Sequence, residues 1–326
     1  MPLSTTAPAA AFAAARDAAV VSPLPGLAFL DVAGADAIAF LHGQLSNDVA
    51  GLAPGTAEWA TYNSPKGRML ATMLVWRPAT GPACRLALAA DLAEPIRKRL
   101  SMFVLRSKVT LATSAPALSA VGIGGPAAAR AVRAALAVDP VPMREVPFDG
   151  GGAAIGLPDG RVLVAVPADR AESTVAALAK HATVADESIW RWLAIRAGVA
   201  QITLALQERH VPQTANWEVV GGVSFAKGCY PGQEPVARLH HRGHPNRTLR
   251  VLAIEGDELP PYDAELALDG KVVGRVTSAA RDPGHGIVAL AYVRREVPAD
   301  ATVVLADGRC VRPVDPASRA SGRPSR

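Results

Sequence analysis

Lys227-Gly228-Cys229-Tyr230-Pro231-Gly232-Gln233-Glu234 is the stretch from which the rest of the chain is read. Proline fixes one backbone dihedral and the glycine after it takes the positive φ of a tight turn, so Pro231-Gly232 predicts a bend with Cys229 on it. Next, Glu234-Pro235-Val236-Ala237-Arg238-Leu239-His240-His241 predicts a short helix, with a carboxylate and a proline in its first turn, basic residues further on and Gly243 past its end. A thiol on that bend lies near the positive end of the helix, with Lys227 close by in sequence, and both features favour the thiolate. The alternative is the ordinary fate of a lone cysteine, a small buried hydrophobe.

The chain has 326 residues, half of them hydrophobic, and no dominant charge block. That length exceeds one ordinary core and predicts two or three globular domains. Apolar runs are broken by charge, proline or glycine before the ~20 residues of a membrane span, so no transmembrane helix is expected. The alanine-rich start lacks the charged-then-apolar order of a secretory signal and predicts a flexible leader over 1–23. Cys84, Cys229 and Cys310 form an odd set without paired spacing. They point to a reducing cytoplasm rather than a disulfide scaffold. The formal charge of +5 is concentrated in Lys227–Arg250 and in Arg312–Arg326, leaving the remainder net acidic. Residues 314–326 read as a disordered basic tail. No aromatic residues interleave with that tail, so nucleic acid is not expected as a direct ligand.

Along the chain, Leu27–Val32 predicts a strand, and Ile38, Leu41 and Leu45 give a helix one apolar face. Strands follow at Glu58–Asn63, Met69–Trp76, Arg85–Ala90 and Lys108–Thr113, with a helix at Glu94–Phe103. The order is close to a split βαβ, ferredoxin-like plan. The plan recurs in a strand at Leu118–Ile123, a helix at Pro126–Leu136, a hairpin around Asp159-Gly160 and a helix at Asp169–His181 capped by its own aspartate. Glu187–Ala197 predicts another helix. From Thr248 onward the period is two and Asp-Gly turns repeat, which predicts a small antiparallel barrel. The fold class is therefore α+β: a first lobe over 24–115 with 186–247, a second ferredoxin-like lobe over 116–185, and a barrel over 248–313.

The run KGCYPGQEPVAR followed by HHRG resembles the signature of the YgfZ family, folate-binding relatives of the glycine-cleavage T-protein. The resemblance extends through Phe40-Leu41-His42-Gly43-Gln44-Leu45-Ser46-Asn47-Asp48-Val49, Ser64-Pro65-Lys66-Gly67-Arg68-Met69, Arg196-Ala197-Gly198-Val199, Val211-Pro212-Gln213 and Val273-Gly274-Arg275-Val276-Thr277-Ser278. It implies a three-unit cloverleaf around a central tetrahydrofolate pocket. It also implies that Trp190 packs on the pterin, with Gln213, Tyr230, Gln233, Glu234, Arg238 and Arg242 as further folate contacts. Cys229, assisted by Lys227, is the implied working group. A second family aromatic is replaced here by Leu27. Trp190 and Trp192 lie about 200° apart on a helix of ~3.6 residues per turn, so one suits a core and the other a site.

Aminomethyl transfer needs a carboxylate beside the folate's nitrogens. The T-protein places an acid where this chain has Gln213 and Thr214. The YgfZ branch instead implies support of iron-sulfur enzymes, including tRNA-modifying ones, with iron-sulfur client or assembly proteins as partners. A true aminomethyltransferase and a metal- or RNA-binding module are the alternatives. His240, His241 and His244 read as a solvated helix face or as contacts to the folate's glutamate tail, since structural zinc wants tight paired ligands. Cys84 and Cys310 fall within strand patterns and read as structural.

Overall fold

The computed structural model describes residues 8–114 and 117–314. In the first lobe, strand Leu27–Ala33 leads to helix Ala37–Gln44, strands Ala57–Asn63, Met69–Trp76 and Cys84–Ala89, helix Ala90–Ser101 and strand Thr110–Thr113. Their spatial order is 57–63, 69–76, 84–89, 27–33, 110–113, antiparallel throughout. Without the edge strand Ala57–Asn63 this is the ferredoxin-like arrangement.

Met69–Trp76 is buried at every position. The physical reason is that both faces of the sheet are covered. Met73 and Val75 pack with Leu41, Leu92 and Ile96 of the two helices. Leu74 and Trp76 pack with Phe29 and Ala87, and across to Ile155, Leu163 and Ala165 of the second lobe.

The second lobe repeats the plan: strand Leu118–Gly124, helix Ala128–Leu136, strands Glu145–Phe148, Gly152–Gly156 and Val162–Pro167, helix Ala171–Leu178 and strand Thr183–Val184. Its order is 183–184, 20–23, 118–124, 162–167, 152–156, 145–148. The one addition inside the shared pattern is Val20–Pro23, parallel to Thr183–Val184 and antiparallel to Leu118–Gly124. Its α-helix starts at Ala171 after a 3-10 turn Ala168–Arg170, so Asp169 is not the expected cap.

The expected flexible leader is corrected over residues 8–23. Pro8–Asp17 is a helix and Val20–Pro23 a strand inside the second lobe's sheet. Ala11, Phe12 and Ala15 are buried, and Phe12 meets Trp192 edge-on with ring centroids 5.3 Å apart. An apolar stripe made mostly of alanines has little contrast with its surroundings, so the periodic signal was weak. Residues 1–7 and the predicted basic tail from 315 onward lie outside the described residues.

A second correction concerns the helix at Glu187–Arg196, expected with the first lobe. Asp186 caps it, accepting from the Ser188 backbone N–H at 2.8 Å. Ile189, Trp192 and Ile195 share a core with the N-terminal helix and with Leu249, Val251, Val288 and Leu290 of the barrel. After this excursion Ile202, Leu206, Ala215 and Trp217 return to the first lobe's core.

The barrel closes through strands 247–254, 286–294, 271–282, 265–268, 303–305 and 310–313. A bulge between Val276 and Ser278 places Thr277 and Ser278 against the chain segment that holds His210. Among the described residues no helix is long and apolar enough to cross a membrane.

Candidate functional site: a thiol groove and a tryptophan cavity

The signature stretch folds as its residue types require. Gly232 has φ 78° and forms the N-cap of helix Gln233–Arg242. A Cβ at Gly232 would overlap the Ser64 carbonyl oxygen and lie 2.7 Å from Gly67 Cα, so two tight turns interlock here and only glycine fits. Cys229 is exposed while Cys84 is buried and Cys310 half-buried. Burial pushes the Cys84 thiol up to about 12, which makes it inert. Cys229, Tyr230, Gln233, Glu234, Pro235 and Arg238 line an open groove together with Pro65. Glu234 and Arg238 pair at 2.9 Å across one helical turn, on a solvated face where such pairs contribute little.

Lys227, expected to assist the thiol, is also anchored on the first lobe. It is buried, and its Nζ donates to the carbonyl oxygens of His42 and of Leu45, the latter at 2.7 Å. These are orphan carbonyls at the end of helix Ala37–Gln44, where a cation is favoured. The ammonium also lies 5.0 Å from the centre of the Tyr230 ring. Desolvation lowers the Lys227 pKa to about 8, opposed by Asp48, Glu58 and Cys229. Glu58, half-buried beside the same cluster, is raised to about 7 by desolvation and by the nearby charge of Asp48. Lys227 therefore ties the cysteine bend to the first lobe.

Gln213 is buried, with Nε2 donating to the Val236 carbonyl at 2.7 Å. It braces the motif helix from beneath and lines neither the groove nor the cavity described next. Arg242 is exposed at the helix end and likewise lines neither. His240 stacks on Phe225 with centroids 3.7 Å apart and pairs with Glu218 at 2.7 Å. Among the described residues no group of three or more His, Cys, Asp or Glu is placed to hold a metal ion.

Trp190 stands elsewhere. Trp192 on the opposite helix face is buried, its indole N–H donating to Asp282 at 2.8 Å. Trp190 is half-buried and lines a cavity of about 80 Å³ between the two lobes, with Leu27, Trp59, Leu74, Leu163 and Trp217 as apolar walls. Thr72, Gln201 and Arg161 are its polar groups. Flat aromatic walls with a few convergent polar groups are the usual lining of a small-molecule site. No residue lines both the groove and this cavity. Of the residues expected at one site, Tyr230, Gln233, Glu234 and Arg238 line the groove, Trp190 lines the cavity, and Gln213 and Arg242 line neither.

Arg161 and its partner Asp159 were read only as the flank of a hairpin turn. Nothing local in sequence links them to Trp190, and only the packing of the two lobes does. Trp59 and Gln201 were missed for the same reason. On the barrel side, His210 borders a space of about 20 Å³ with Thr214, Thr277, Ser278 and Tyr292. That is room for one water molecule. Desolvation and nearby arginines lower the His210 pKa to about 4.

The fold places the chain in a class. Glycine cleavage system aminomethyltransferase T from Bartonella henselae superposes with a TM-score of 0.78 over 95% of this chain and 90% of that one, at 18% identity. The molecule has the aminomethyltransferase T fold. Sequence relatives narrow this. The tRNA-modifying protein YgfZ of Serratia proteamaculans (strain 568) is 31% identical over 263 residues, 78% of each chain. Those of Enterobacter sp. (strain 638) and Edwardsiella ictaluri (strain 93-146) are 30% identical over 261 residues and 28% over 287, covering 78% and 85% of each chain. No family model matches. The chain belongs to the YgfZ family.

Proposed function

We propose that this protein is a tetrahydrofolate-binding accessory factor that supports assembly or repair of iron-sulfur enzymes, tRNA-modifying ones among them, in the cytoplasm. The observation that carries the reading is the exposure of Cys229 on a bend fixed by Lys227 and Gly232, in contrast to the buried Cys84. A fixed, accessible thiol suits a working group; a merely structural one would sit in the core. The name tRNA-modifying protein borne by the relatives is in keeping with this role.

The residues of the central cavity fit a reduced pterin. Its walls are tryptophan and aliphatic faces, and Arg161 and Gln201 offer polar partners. A space of about 80 Å³ is smaller than a ligand site commonly is, so the pterin enters with side-chain movement of the kind interfaces routinely show. When bound, tetrahydrofolate supplies nitrogens able to carry a one-carbon unit. None of the described lining residues is a carboxylate, and Gln213 is turned onto Val236. Both observations favour an accessory role over aminomethyl transfer.

Cys229→Ala is expected to abolish rescue of a strain lacking the protein, while Cys84→Ala rescues normally. Equal rescue by both variants would remove the thiol from the mechanism. Titration with tetrahydrofolate, followed by tryptophan fluorescence, tests the cavity. An unchanged signal at saturating ligand would rule out folate binding there.

A further inference from the structure

Trp190 is closely hemmed in where it borders the cavity. It packs against the Gly122 backbone, where even a Cβ would overlap Cε3 and lie 2.8 Å from Cζ3. The Arg161 guanidinium lies over the ring, its central carbon 4.4 Å from the ring centre. A planar cation thus fills the slot a planar ring would take.

The guanidinium is held there by one carboxylate. Asp159 Oδ2 accepts from Arg161 Nε at 2.9 Å and from Nη2 at 2.6 Å, while Oδ1 accepts from the Arg161 backbone N–H at 3.1 Å. Arg161 is only 4% exposed. Its Nη1 donates no hydrogen bond among the described residues, and the side chain lines the cavity. The cavity carries a cationic donor edge among mostly apolar walls, with Thr72 and Gln201 as its other polar side chains and no acid among its described lining residues. Such a donor recognises an acceptor and penalises a donor, because a buried N–H facing another N–H leaves both unpaired.

We infer that Arg161 is the specificity-determining residue of this cavity, reading the ring carbonyl of a flat reduced pterin that takes its place on Trp190. The inference rests on the folate reading above and names the feature of the ligand being recognised. The Asp159 fork acts as a pivot: the guanidinium leaves the indole face as the ring arrives and turns its free Nη1 to the carbonyl edge. A pterin whose carbonyl is replaced by an amino group presents donors at that edge and is rejected.

The test compares two ligands on the full chain by tryptophan fluorescence. One is methyltetrahydropterin, which has the ring carbonyl and no glutamate tail. The other is its diamino analogue. Wild type is expected to prefer the carbonyl form by tenfold or more, on the order seen when a site's buried donor is left unpaired. The double variant Asp159→Asn/Arg161→Met removes the pair without leaving a bare carboxylate. It is expected to bind both ligands within about threefold of each other, with circular dichroism reporting its folding. Equal binding of the two ligands by wild type overturns the role of Arg161 while leaving the folate reading intact, and this comparison needs no variant. A preference retained in the double variant overturns it as well. A preference that appears only with the glutamate-bearing folate assigns Arg161 to the tail and refutes ring reading. Failure of wild type to bind any of these ligands refutes the folate reading itself, and the inference with it.

Discussion

The groove around Cys229 and the cavity around Trp190 are built by opposite means. The groove is lined by a nearly continuous run, Cys229 to Leu239, with Pro65 as its one distant contributor. The cavity takes its walls from both lobes, from helix Glu187–Arg196 and from the segment 199–201 that follows it. The groove is open and carries charge; the cavity is mostly apolar, with one guanidinium in its lining. The difference teaches that the two places can be perturbed separately. The two share no lining residue.

The largest effect expected from breaking one side of this comparison comes at the turn. Gly232→Ala puts a Cβ into the Ser64 carbonyl at φ 78°. It should cost about 3 kcal/mol or more in urea unfolding, with faster labelling of Cys229 as the bend loosens. A loss under about 0.5 kcal/mol would show that the interlocked turns do not hold the groove. Next in size, Trp190→Leu should weaken pterin binding about tenfold, roughly 1.4 kcal/mol, and leave the labelling rate of Cys229 unchanged. If both readouts moved together, groove and cavity would have to be treated as one site.

The smallest effect lies beside neither and calibrates them. The folded-state pKa of His210, about 4, is below its ordinary 6.5, so the unfolded chain takes up this proton first as pH falls. The stability His210 allows is fully present above pH 6.5 and is lost as pH drops toward 4. His210→Gln should flatten that decline by about 1 kcal/mol, since the ring is only partly buried. Parallel pH profiles for variant and wild type would contradict the burial of this ring against Tyr292, 4.7 Å away.

Legibility followed the range of the interactions. Met69–Trp76 and the barrel hairpins were readable because strand pattern and Asp-Gly turns are local. The bend at Pro231-Gly232 was readable because those residues have few other uses. The N-terminal segment was misread, since Val20–Pro23 is a strand only when Leu118–Gly124 and Thr183–Val184 provide a slot for it. Lys227 was assigned to the thiol by sequence proximity, yet its ammonium is held by carbonyls of His42 and Leu45. The carbonyls could not be foreseen from sequence, because a buried ammonium takes acceptors wherever the fold brings them.

The chain's own residues were enough to establish two α+β lobes, a terminal barrel, family membership through the signature run, and a cysteine placed on a turn. Each depends on short-range backbone preference or on a contiguous motif. What required folding was the separation of thiol from tryptophan, the arginine laid over Trp190, and the anchoring of the cysteine bend by a buried lysine. Those depend on which apolar surfaces meet and on where a desolvated charge finds its partners, and neither is written in any one stretch of the chain.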